Sequence, residues 1–124
     1  MPFPSLFISH GSPMILLDES PARHALAELA TTLPRPKAII IMTAHWLSVR
    51  RIGVTCWQQA ALIHDFHGFP APLYQMTYPA EGAPALADRI IQRLQGAGFD
   101  AYAETQRGLD HGSWVPLRLM YPAA

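Results

Sequence analysis

Ala38-Ile39-Ile40-Ile41-Met42 is a run of five apolar residues, three of them β-branched, with no charge or hydroxyl to mark a solvent face. A run this short and this apolar suits a strand buried on both faces of a parallel sheet. Leu6-Phe7-Ile8 is a shorter run of the same kind. Between them, Ser20-Pro21 offers an N-cap followed by proline at the first helical position. Ala22, Ala25, Leu26, Leu29, Ala30 and Leu33 then recur at helical spacing until Pro34 and Pro36 stop the helix. Strand, helix, strand in that order predicts a right-handed βαβ unit, and hence an α/β fold with a mostly parallel sheet and flanking helices.

The remainder continues that alternation. Apolar residues alternate from Ile52 to Cys56, which predicts a strand, while six prolines and glycines between Ala61 and Pro84 predict a long irregular loop with one short helical turn. A loop of that length in a small domain is usually functional. Pro84 starts a second helix with the stripe Leu86, Ala87, Ile90, Ile91 and Leu94, stopped by Gly96 and Gly98. Phe99 to Ala103 reads as a strand. Ser113 is the expected N-cap of a last helix from Trp114 to Tyr121, with Pro116 in its first turn. No returning strand follows Tyr121-Pro122-Ala123-Ala124, so residues 1–124 are expected to form the N-terminal part of a larger domain, an incomplete fold.

Composition narrows the partners. Nine basic and nine acidic residues cancel, leaving no global field to attract nucleic acid or an anionic membrane, and a small ligand fits better. Cys56 is the sole cysteine, which excludes an internal disulfide and a cysteine metal cluster and points to a reducing, cytoplasmic setting. No apolar run approaches the ~20 residues that span a bilayer, and the N-terminus lacks a signal-peptide pattern, so the chain is expected to be soluble and unprocessed.

Six histidines carry the candidate chemistry. His10 follows the first apolar run with only Ser9 between, and His45 follows the second with Thr43 and Ala44 between. Parallel strands deliver their next residues to the same carboxyl edge, where open α/β folds bind ligands. Two imidazoles at neighbouring strand ends can share one metal at ~2.1 Å each. The plainer alternative is a pair of loop histidines bonded to backbone. In His10-Gly11-Ser12-Pro13 the glycine lets the backbone pass close to a ligand and the proline stiffens the turn. His111, in Asp110-His111-Gly112-Ser113-Trp114, stands before a predicted helix N-terminus, where backbone N–H groups favour an anion or bound oxygen species. Asp110 is expected either to cap or to orient the His111 ring. His64, Phe66 and Phe69 in the long loop, and Trp46 beside His45, are candidates for a rim around a planar substrate. The alternative is that the aromatic residues belong to the core. His24 reads as a surface residue and Cys56 as a small buried hydrophobe.

Taken in order, His10-Gly11-Ser12-Pro13-Met14, Leu33-Pro34-Arg35-Pro36, Thr43-Ala44-His45-Trp46, His64-Asp65-Phe66, Gly68-Phe69-Pro70, Tyr78-Pro79-Ala80 and Asp110-His111-Gly112-Ser113-Trp114 resemble the LigB-type extradiol ring-cleaving dioxygenases, in the branch of the 4,5-DOPA dioxygenases. The resemblance implies a single non-haem metal, Fe(II) for activity, with Zn(II) as an occupant of isolated protein. His10 and His45 match its two N-terminal ligands, and His111 a histidine that lines the substrate pocket and serves catalysis. The implied partners are a small aromatic diol and O₂. Such proteins are about twice this length, and their third ligand and acid/base histidine lie in the half that this chain does not contain. His67 stands where relatives carry glycine or tyrosine. Two other readings stay open: a zinc hydrolase using metal-bound water, and a catalytically incomplete metal-binding fragment that self-associates or needs its missing half.

Overall fold

The computed structural model describes residues 3–124 and is an α/β arrangement. Strand β1 (Arg51–Thr55) pairs in parallel with β2 (Asp100–Glu104), in register from Arg51 opposite Asp100 to Thr55 opposite Glu104. Helix α3 (Pro84–Gly96) connects them and packs on both, so the βαβ unit is built here and not between the two apolar runs. Helix α1 (Pro21–Thr32) begins as its cap signal requires: the Ser20 hydroxyl accepts the Arg23 N–H at 3.3 Å. A single helical turn, α2 (Ala71–Tyr74), interrupts the long loop, and a 3-10 turn at Pro13–Leu16 follows the His10 segment, its first N–H groups capped by Ser12. Helix α4 (His111–Met120) closes the described chain.

The two apolar runs do not form strands among the described residues. Phe7 and Met42 are almost fully exposed, and Leu6, Ile39, Ile40 and Ile41 are also exposed. An apolar run becomes a strand only when another strand satisfies its backbone groups. The ladder found among the described residues is made by β1 and β2, to which neither run is bonded. Helix α4 also departs from the expected bounds. It starts three residues earlier than expected, with Asp110 rather than Ser113 at the N-cap position. Pro116 therefore falls in the second turn, where it removes the N–H that would bond the Gly112 carbonyl.

The core lies where α4 meets the loop. Ile15, Leu16, Phe66, Leu73, Trp114 and Val115 are mutually packed and buried, with Trp114, Leu73 and Val115 wholly enclosed. Trp114 also fastens the loop, since its Nε1–H donates to the Ile63 carbonyl at 3.0 Å. Trp114→Phe is expected to cost about 1–3 kcal/mol in chemical denaturation, mainly by orphaning that carbonyl. A change under ~0.5 kcal/mol would contradict this role.

Candidate metal centre

The 3-10 turn anchors the segment carrying His10, and Gly11 adopts the left-handed φ of +62° that lets the chain double back beside the imidazole. His45 arrives from the unpaired segment, and His111 is the first residue of α4. These three histidines each offer a ring nitrogen, and the nitrogens all lie within 4.8 Å of one another. His10 Nε2 and His45 Nε2 are 2.9 Å apart. The rings of His10 and His45 stand 4.2–5.1 Å, centroid to centroid, from that of His111. The expected convergence of His10 and His45 is thus found, although the strands expected to deliver them are not.

The donor set fits a cation. Two nitrogens held at ~2.1 Å from one metal, about a right angle apart, would be ~3.0 Å from each other, close to the observed His10–His45 separation. Without a cation one of the two facing nitrogens must donate a proton to the other, whereas a metal satisfies both lone pairs. Burial lowers the His10 pKa from its ordinary 6.5, with the neighbouring imidazoles of His111 and His45 acting in the same direction. The neutral, ligating form is therefore favoured at neutral pH. A histidine with a depressed folded-state pKa contributes stability above its unfolded value of 6.5 and loses it as pH falls through the folded one. Protons also compete directly for the ligand nitrogens. Zinc affinity, measured against a chromophoric chelator, is expected to fall as pH drops below 6.5, approaching at least ~10-fold per pH unit once protons compete for the ligand nitrogens. A profile that stays flat from pH 7.5 down to pH 4.5 would contradict the assignment.

His111 is buried and held by Asp65, not by Asp110. Asp65 Oδ1 accepts the His111 backbone N–H at 2.9 Å. The ring Nδ1 lies equally close, 2.9 Å from the same oxygen, but without the direction a hydrogen bond needs. Burial would raise the Asp65 carboxyl, yet the His111 backbone and ring outweigh it and hold the carboxyl below the usual range. Asp110, expected to cap the helix or orient His111, is buried at 2% exposure and makes no side-chain cap. Its carboxylate is turned to Thr43, whose hydroxyl donates at 2.8 Å, and to Arg107, whose Nη2 donates at 3.2 Å.

The other predicted site residues divide. Phe66 stands edge-on to His111 at 5.8 Å and packs edge-on with Phe69 at 5.3 Å, giving the trio an aromatic flank. His64 lies behind Phe66, its Nε2 3.2 Å from the Met76 carbonyl oxygen, and packs against Trp114. The Trp46 ring lies over Gly53, where any Cβ would collide with it, and beneath the Arg107 guanidinium at 5.0 Å. His24 pairs with Glu19 on the surface, as expected, and Cys56 is partly buried. Sequence reasoning gave Asp65, Thr43 and Arg107 no role of their own. Only the position of Thr43, two residues before His45, hinted at one.

A family model described as the catalytic LigB subunit of aromatic ring-opening dioxygenase matches residues 4–124. The chain is 46% identical over 121 residues to the 4,5-DOPA dioxygenase extradiol of Escherichia coli, which covers 98% of this chain and 44% of that protein. The protein of the same description from Beta vulgaris is 45% identical over 124 residues, 97% of this chain and 46% of its own length. That from Portulaca grandiflora is 41% identical over 124 residues. The chain thus spans less than half the length of these relatives. No helix among the described residues is long and apolar enough to cross a membrane.

Proposed function

Because the chain belongs to the LigB family of aromatic ring-opening dioxygenases, we propose that it supplies the metal-holding part of an extradiol dioxygenase acting on a catechol-type diol. The observation that carries this reading is the 2.9 Å approach of His10 Nε2 to His45 Nε2, with a third imidazole beside them. In this reading His10 and His45 hold a single non-haem metal, Fe(II) for turnover and Zn(II) in isolated protein. Bound there with so few protein ligands, such a metal offers open positions at which a diol and O₂ meet.

The chain's own residues do the positioning. His111, fixed at its backbone by Asp65, faces the ligand pair and is suited to hydrogen-bond a diol oxygen or hold its proton. Phe66 and Phe69, with His64 and Trp46 at the margins, provide the flank against which a planar ring lies and from which water is excluded. The exposed apolar residues Leu6, Phe7 and 38–42 are assigned to contact with the remainder of the domain, since patches of this kind mark interaction surfaces. We place the protein in the cytoplasm, consistent with its single cysteine.

The test joins this chain to the unmatched remainder of the Escherichia coli relative and loads the product with Fe(II) under anaerobic conditions. Adding a catechol and oxygen is expected to give oxygen uptake and a yellow ring-opened product. No uptake with any catechol, or ester hydrolysis by the zinc form without oxygen consumption, would contradict the proposal.

A further inference from the structure

Asp110 is the most enclosed ionisable residue described, and its side chain makes no capping hydrogen bond to the helix it precedes. Burying a carboxylate is costly unless each oxygen is bonded. Here both are, and each bond leads to the same place. Oδ1 accepts the Thr43 hydroxyl at 2.8 Å, and Thr43 Oγ1 in turn accepts the His45 backbone N–H at 3.2 Å. Oδ2 accepts Arg107 Nη2 at 3.2 Å, and the same Nη2 donates to the His45 carbonyl at 3.3 Å. The Arg107 guanidinium is steadied over the Trp46 ring, one residue further along.

We infer that Asp110, acting through Thr43 and Arg107, is the positioning residue for His45: one buried carboxylate brackets both backbone polar groups of that residue and so fixes the direction in which its imidazole leaves the chain. This rests on the reading of His45 as a metal ligand. The bracket answers a specific need, because His45 lies in a segment with no strand to hold it and is itself exposed. Groups that orient ligands from behind commonly change metal affinity 10–100-fold when removed. Arg107 and Asp110 stand just before α4, more than sixty residues from Thr43 and His45, so the bracket also ties the His45 segment to the start of α4, where His111 sits.

The experiment uses the 124-residue chain with the variants Thr43→Val, Thr43→Ser and Asp110→Asn, and Zn(II) as the metal probe. Thr43→Val keeps the shape and removes the hydroxyl, Thr43→Ser restores it, and Asp110→Asn sets an amide N–H against the guanidinium. Two quantities are read: hydrogen exchange of the His45 amide without metal, and zinc affinity by chelator competition. The expected result is His45 exchange ~10-fold faster and zinc affinity ~10-fold weaker in Thr43→Val, both recovered in Thr43→Ser, with a larger affinity loss in Asp110→Asn. If Asp110→Asn fails to fold, the Thr43 pair decides alone. Zinc affinity within two-fold in Thr43→Val, or an unprotected His45 amide in the parent chain, overturns this inference alone. A protected amide in a chain that binds no zinc overturns the metal reading, and the positioning role with it.

Discussion

His45→Ala is expected to weaken zinc binding by ~10³-fold or more, the loss of one of two first ligands being worth about 4 kcal/mol. His10→Ala should match it, because the two Nε2 atoms face each other at 2.9 Å and neither has a substitute within reach on its own segment. His111→Ala should behave differently. Its ring belongs to the cluster, but in the proposed reading it serves the substrate rather than the metal, and its Nδ1 is already set 2.9 Å from the Asp65 carboxylate. Zinc affinity within ~10-fold of the parent is therefore expected for that variant, with the larger effect falling on substrate turnover in the completed enzyme. Chelator competition on the three variants separates the roles. Equal losses in all three would make His111 a ligand, and no loss in His45→Ala would remove the site.

Gly112→Ala is the second change expected to be severe, and it touches no ligand atom directly. A Cβ at this position would lie 2.6 Å from His45 Cδ2, 2.8 Å from Thr43 Oγ1 and 3.1 Å from Asp110 Oδ1. None of these is the free end of a flexible side chain. The ring is directed at His10, and the other two atoms share a hydrogen bond. Alanine is intrinsically better than glycine within a helix by roughly 1 kcal/mol, so α4 itself should not suffer. The expected outcome is normal helical circular dichroism with zinc affinity reduced ~100-fold, as the His45 ring is pushed from its place. Affinity within three-fold of the parent would show that the centre tolerates the displacement.

Much of the fold could be read from local chemistry. Ser20-Pro21 and Pro84 fixed the starts of α1 and α3, and the alternation from Ile52 and the strand read from Phe99 located β1 and β2 to within one residue. These signals sit inside the elements they specify. The run at Ala38–Met42 carries an equally strong local preference, yet a strand also needs a partner, and none bonds to it among the described residues. Asp110 misled for the same kind of reason. Its position before α4 matches a cap, but a non-local pull won, with Thr43 sixty-seven positions away taking its oxygen. Asp65 and His111 meet across 46 positions with no spacing rule to announce them. The His10–His45 meeting was foreseen because both follow apolar runs. What delivers them is a left-handed Gly11, a capped 3-10 turn and a carboxylate bracket.

X-ray absorption at the zinc edge, on the chain loaded with one equivalent of Zn(II), tests the metal centre most directly. The account predicts first-shell nitrogen at about 2.0–2.1 Å with imidazole outer-shell scattering from at least two histidines, and loss of that scattering when His10 and His45 are both replaced by alanine. A first shell of oxygen alone, or an imidazole signal unchanged in the double variant, would contradict it.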